Sequence, residues 1–202
     1  MNFLNIDPNR KILAMLPGSR VQEVRRLLPV MIRAGRILKR DIPELQILIA
    51  QSPTLSDGVY RGYTRNAPEV RSVRDLTHDV LKHADAALVA SGTATLEAAL
   101  AGTPMAVLYK MAPFSYVLAR MLVRVPHIGL VNIVAGRGVV PELIQGAAAP
   151  KQAAAAVRPF LIDPDQAAEV RTRLSGVSEK LGEPGAANRA AEAVLNELDA
   201  AS

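Results

Sequence analysis

The sequence predicts an α/β fold, a parallel β-sheet sandwiched by helices, on two observations. Four short apolar runs, Ile12–Leu16, Leu45–Ala50, Ala86–Ala90 and Met105–Tyr109, are continuous rather than alternating, as strands covered on both faces are. Between them lie segments whose apolar residues recur at spacings of three and four, the period of a helix with one buried face. Alternating strands and helices require right-handed crossovers, which gives a Rossmann-like three-layer sandwich. At 202 residues, half of them hydrophobic, the chain has one domain's worth of length, or two small ones at most, and can bury a core.

Taken in order, Ile12–Leu16 is the first strand. Val21, Val24, Leu28, Met31, Gly35 and Leu38 then place Gln22–Arg40 in a helix whose polar face carries Arg25, Arg26, Arg33, Arg36 and Arg40. Leu45–Ala50 follows as a strand, and a shorter helix, Asp75–His83, precedes the strand Ala86–Ala90. Ala94–Ala101 is the next helix. Gly102 stops it and Pro104 opens the strand Met105–Tyr109. Pro141-Glu142 is expected to open a short helix ending near Gln145. From Lys151 the composition turns alanine-rich. Lys151–Leu161, Asp165–Leu181 and Ala186–Ala200, broken by Asp163-Pro164 and Gly182-Glu183-Pro184-Gly185, read as three helices with no strand between them. Residues 1–150 are therefore expected to form the Rossmann-like domain and 151–202 a helical segment packed on it.

Composition removes several function classes. There is no cysteine, hence no disulfide framework, thiolate zinc site or cysteine nucleophile. His78, His83 and His127 show no metal-ligand spacing, and no metal or cofactor is expected. No Gly-x-Ser-x-Gly follows a strand. Three Phe, four Tyr and no Trp count against a nucleic-acid partner, whose bases stack on aromatic platforms. The longest uncharged stretches run to 12 residues, against the roughly 20 that cross a bilayer, and Met1–Lys11 has no apolar core of the signal-peptide kind. The net charge of +5 is uneven. Residues 1–74 carry 13 Lys+Arg against 6 Asp+Glu, and residues 75–202 carry 11 against 13, so the first half favours anionic partners. Phe114, Tyr116, Val117, Leu118, Met121 and Leu122, with Arg120 and Arg124, suit a helix lying on a membrane surface, or an ordinary buried helix.

Ligands of open α/β sheets bind at the carboxyl ends of the strands, and two such junctions stand out. In Leu16-Pro17-Gly18-Ser19-Arg20, with Glu23 one turn on, Gly18 lets the backbone approach a ligand, Ser19 offers a hydroxyl and Arg20 a forked cation. The same residues also serve as a capped helix start with a solvent-facing arginine. In Ser91-Gly92-Thr93-Ala94-Thr95-Leu96-Glu97 a buried strand ends in small residues whose bare N–H groups suit an anion. Glu97 lies four residues beyond Thr93, on the same helix face, where its carboxylate can accept from both hydroxyls of a ribose or merely complement the helix dipole. Lys110 follows a strand end, within reach of a phosphate or in water. Asn132 sits in the apolar run Ile128–Val134 and must have a hydrogen-bond partner. Glu142 is by default an acid in a first helical turn.

These blocks, together with Tyr109-Lys110, Asn132-Ile133-Val134-Ala135-Gly136-Arg137 and Val140-Pro141-Glu142-Leu143-Ile144-Gln145, resemble the lipid A disaccharide synthases in four motifs, in order, over residues 12–145. The resemblance implies one half of a GT-B fold, the half that holds the UDP-sugar. It implies transfer of 2,3-diacylglucosamine from UDP to 2,3-diacylglucosamine 1-phosphate, forming a β-1,6 link with inversion and without a metal, in lipid A and lipopolysaccharide biosynthesis. By motif, Gly18, Ser19 and Arg20 would approach the diphosphate, with Arg20 meeting the charge of the departing UDP. Ser91, Gly92 and Thr93 would cradle the diphosphate, Glu97 would hold the ribose, and Asn132, Glu142 and Gln145 would line the nucleotide-sugar side of the cleft. Val131 stands where the family pattern has proline before the asparagine. The resemblance also implies a cytoplasmic location, peripheral to the inner membrane, and a possible homodimer through the C-terminal helices. The chain begins almost at the first strand of the family's second domain. The acceptor site and the catalytic base are thus expected in a separate N-terminal half, whether this chain is a fragment, a truncated frame or half of a split enzyme. The other readings are another enzyme using UDP-N-acetylglucosamine (an epimerase or a cell-wall N-acetylglucosaminyltransferase) and a non-catalytic binding or dimerisation module.

Overall fold

The computed structural model describes residues 6–112, 116, 125–182, 185, 190–192 and 194–195. Its sheet has six parallel strands, β1 Ile12–Leu16, β2 Gln46–Gln51, β3 Val70–Arg74, β4 Ala86–Ala90, β5 Met105–Tyr109 and β6 Glu142–Ile144, in the order β3-β2-β1-β4-β5-β6. All residues of β1 and β4 are buried, which is why they occupy the middle. Met15 lies beside Ile49 of β2 on one side and Leu88 of β4 on the other.

The helices are α1 Val21–Asp41, α2 Gly58–Thr64, α3 Thr77–His83, α4 Ala94–Leu100, α5 Leu130–Ala135, α6 Pro150–Ile162 and α7 Pro164–Leu181. α1 and α6 pack on each other and on the central strands. α3 touches β1 and β2, α4 touches β4, and α7 backs α4 and α5. α1 buries Val24, Leu27, Leu28, Met31, Ala34, Gly35 and Leu38, the stripe that the spacing predicts. It approaches the sheet most closely at Gly35, where an added Cβ would stand 2.8 Å from both Met15 Cε and Ile47 Cδ1. Asp163 caps α7 through its Oδ1, which accepts from the N–H groups of Asp165 and Gln166. The Gln166 side chain and these backbone N–H groups hold its carboxyl below the usual carboxylate range.

The structure departs from the sequence reading in four places. β3 and α2 were not anticipated. The apolar run from Ile128 contains the helix α5. Glu142–Ile144, expected as a helix, is the strand β6, because Val107, Leu108 and Tyr109 of β5 pair with Glu142, Leu143 and Ile144. That pairing overrides the local Pro-Glu signal. α3 starts two residues later than expected, since Asp75 takes a left-handed φ of 58°. Lys151–Leu161 and Asp165–Leu181 are helical as expected. The helix expected around Phe114–Arg124, Tyr116 apart, and most of Ala186–Ala200 lie outside the described residues. Among those described, no helix is long and apolar enough to cross a membrane.

Candidate functional site

In this strand order the connections leave β1 and β4 in opposite directions, and the divergence opens a crevice at their carboxyl ends. The crevice has two lobes. The larger, of about 740 Å³, is lined by the 18–20 loop with Ser91, Gly92, Thr93 and Glu97, and by Ser52, Pro53, Asp75, Thr77 and His78. The smaller, of about 540 Å³, is lined by Gln22, Arg26, Leu27, Leu108, Tyr109, Lys110, Met111 and Ala112. Arg20, Glu23, Ala90 and Ser91 border both.

The first loop is shaped by Glu23. Its Oε2 accepts from the N–H groups of Ser19 (3.0 Å) and Arg20 (3.3 Å), and its Oε1 accepts from Arg20 Nη1 (3.1 Å). The carboxylate therefore organises the loop. Glycine is required at position 18 because φ is 111° and because a Cβ there would stand 2.7 Å from Glu23 Cβ and run into its carboxylate. Gly18→Ala is expected to lower the unfolding free energy by about 2 kcal/mol, the cost of such a backbone conformation without glycine. Denaturant unfolding measures this, and an unchanged midpoint would show that the loop relaxes freely. The Arg20 side chain stays 82 % exposed and projects between the lobes.

At the second loop Ser91 Oγ donates to the Ile128 carbonyl at 2.8 Å, and Ser91 N–H donates to that of Leu108. The N–H groups of Gly92 and Thr93 have no partner among the described residues. Glu97, exposed on α4, has no side-chain hydrogen bond or ion pair among them either. The larger lobe thus brings together an exposed cation, two open N–H donors and an uncommitted carboxylate acceptor.

Asn132, Glu142 and Gln145 lie one layer behind the cleft wall. Asn132 is 1 % exposed and its amide is fully used. Nδ2 donates to the Val140 carbonyl and to Glu142 Oε1 (2.7 Å), while Oδ1 accepts from the N–H groups of Val139 and Val140. The Glu142 carboxylate also accepts from the N–H groups of Ile128 (3.0 Å) and Gly129 (3.1 Å), with His127 Nδ1 3.8 Å away. Gln145, at φ 50°, pairs with the backbone of Met111: Oε1 accepts from its N–H and Nε2 donates to its carbonyl. These three residues line neither lobe. They fix Ile128–Gly129, which receives Ser91, and Met111, which walls the smaller lobe.

The structure therefore assembles Gly18, Ser19, Arg20, Glu23, Ser91, Gly92, Thr93 and Glu97 around the larger lobe and places Lys110 in the smaller one. Ser52, Pro53, Asp75, Thr77 and His78 join them without having been singled out from sequence. Ser52 and Asp75 follow β2 and β3, and the rule of carboxyl strand ends would have found them once β3 was recognised. Ser52 is fixed from below: its N–H donates to the Tyr60 hydroxyl at 3.0 Å. Burial pushes that hydroxyl's pKa up, against the lowering effects of the Ser52 N–H and the Arg74 charge. Among the described residues no group of three or more His, Asp or Glu is arranged to hold a metal ion.

Comparison with known proteins places the chain among relatives. The family model described as lipid-A-disaccharide synthetase matches residues 1–196. The lipid-A-disaccharide synthase of Syntrophus aciditrophicus is 51 % identical over 185 residues, covering 91 % of this chain and 48 % of that protein. The chain spans about half the length of the curated relatives it matches. Among solved structures, the UDP co-structure of MnaA from S. aureus has a TM-score of 0.61 at 15 % identity, over 98 % of this chain and 48 % of the other. The calicheamicin glycosyltransferase CalG4 has a TM-score of 0.58 at 22 % identity, over 94 % and 43 %. The shared fold is one half of the GT-B architecture.

Proposed function

The chain belongs to the lipid-A-disaccharide synthetase family, and from that premise we propose that its cleft holds UDP-2,3-diacylglucosamine as the donor half of a glycosyl transfer. The observation that carries the reading is the larger lobe, where Arg20, the open N–H groups of Gly92 and Thr93, and the uncommitted Glu97 carboxylate face one space at the switch point of the sheet. The fold is shared with MnaA, which was solved with UDP.

In this reading Arg20 and the Gly92 and Thr93 N–H groups meet the diphosphate, with Gly18, Ser19 and Ser91 shaping the wall around it. Glu97 accepts from the ribose hydroxyls. Glu23 holds Arg20 in place. Glu142 and Asn132 support Ser91 through Ile128, and Gln145 supports Met111. A hydroxyl of 2,3-diacylglucosamine 1-phosphate attacks the anomeric carbon, the bond to UDP breaks with inversion, and negative charge grows on the leaving diphosphate. Fixed donors aimed at that charge are the largest catalytic contribution available without a metal, and Arg20 is the cation placed for it. In this reading the base that accepts the hydroxyl proton and the rest of the acceptor site belong to the other half of the GT-B fold. The acylated substrates and the excess of arginine and lysine before residue 75 fit work at the cytoplasmic surface of the inner membrane.

Calorimetric titration with UDP, with uridine as the control, tests the reading. Saturable binding that needs the diphosphate is expected. Glu97→Ala should cost about 1–3 kcal/mol of UDP affinity, the range for a hydrogen-bonded charged acceptor, with the unfolding midpoint unchanged. Equal affinity in the variant would remove Glu97 from the site.

A further inference from the structure

We propose that the smaller lobe is a separate anion subsite, built by Arg26 and Lys110, that takes the phosphate monoester of the acylated acceptor sugar. The inference rests on the donor-site reading above and assigns to this chain a share of acceptor recognition.

Three observations carry it. Arg26 and Lys110 are both partly buried at this lobe and line only this lobe. Among the described residues neither makes an ion pair or a side-chain hydrogen bond. Glu23, the one acid on the wall among the described residues, is spent on Arg20 and two loop N–H groups. Two cations withdrawn partly from water with no counter-charge repel each other, and a cavity between such groups concentrates anions.

Arg26 is also separated from the diphosphate position. It lies six residues beyond Arg20 on α1, about 9 Å along the axis at 1.5 Å per residue and a third of a turn around it. With Arg26 absent from the lining of the larger lobe, that displacement sets it apart from the Arg20 loop, and in this proposal it addresses a second anion. A phosphate monoester carries about −1.5 to −2 at neutral pH, which matches the two positive charges. Met111 and Ala112, both partly exposed, add apolar surface to the same lobe, which suits a ligand with apolar substance next to its phosphate, as an acylated sugar phosphate has. The Gln145–Met111 pairing fixes the chain next to Lys110, which keeps the lysine at the lobe rather than free in solvent.

The test titrates the full chain, saturated with UDP, with glucosamine 1-phosphate, and in a second arm measures binding to phosphatidylglycerol vesicles. The expected result is monoester binding that persists with UDP present, weakens about tenfold or more in Arg26→Met, as loss of a hydrogen bond to a charged group does, and is largely restored in Arg26→Lys. UDP affinity should not change in Arg26→Met. Displacement of the monoester by UDP would overturn the proposal, because the lobe would then belong to the diphosphate. So would equal monoester affinity in Arg26→Met, or Arg26-dependent binding to vesicles alone, which would make the anion a membrane headgroup. Failure of UDP to bind would sink the donor-site reading, and the Arg26 dependence of monoester binding would still decide the subsite.

Discussion

Glu142→Ala is expected to lower the unfolding free energy by about 3 kcal/mol, which for a chain of this size corresponds to a fall of roughly 6–12 °C in Tm. The side chain is 9 % exposed and accepts from Ile128 N–H, Gly129 N–H and Asn132 Nδ2. Removing the carboxylate strands three donors, each worth about 1–3 kcal/mol if left dry. Water entering the space recovers part of that, which sets the expected value near the low end of the sum. The loss should reach the cleft, because the segment that Glu142 holds also receives the Ser91 hydroxyl. Scanning calorimetry of the variant decides the matter, and a loss under about 1 kcal/mol, the size of one ordinary hydrogen bond, would mean that solvent replaces the carboxylate almost completely.

Arg20→Ala is expected to weaken UDP about 10- to 100-fold while uridine binds as before. A hydrogen bond to a charged group contributes about 1.5–3 kcal/mol, and only UDP presents the charge. Stability should hardly change. The ion pair with Glu23 is made by an arginine that is 82 % exposed, and such pairs contribute little. Arg20→Lys should recover only part of the affinity, since a point charge lacks the planar fork. Equal losses for UDP and uridine in parallel titrations would show that Arg20 shapes the loop rather than meeting phosphate.

The parts of the fold legible in the sequence are those fixed by local burial. β1, β2, β4 and β5 are buried along almost their whole length and announce themselves as apolar runs, and α1 by its stripe. β3 does not, because only Val70 of Val70–Arg74 is fully buried and its arginines read as surface. β6 has three residues and exists only because β5 pairs with it. The site divides the same way. Gly18, Arg20 and Gly92 belong to strand-to-helix junctions whose composition marks them, and Glu97 stands one turn into the helix that follows the second. The partners of Asn132, Glu142 and Gln145 lie 7 to 34 residues away along the chain, so sequence could require a partner for Asn132 but could not name it, nor place these residues behind the cleft rather than in it.

The strand order also decides how this sheet meets other chains. An unpaired strand edge is a template for another strand, and proteins blunt it with charge or with brevity. Both devices occur here, one at each end. β3 carries Arg71 and Arg74, the latter held by Asp57 Oδ1 and the Pro53 carbonyl, and β6 offers too few residues for a lasting ladder. Neither border invites sheet extension or strand exchange between copies. With both edges blunted, a surface for another chain would have to be built from helix faces or from loops rather than from the borders of the sheet.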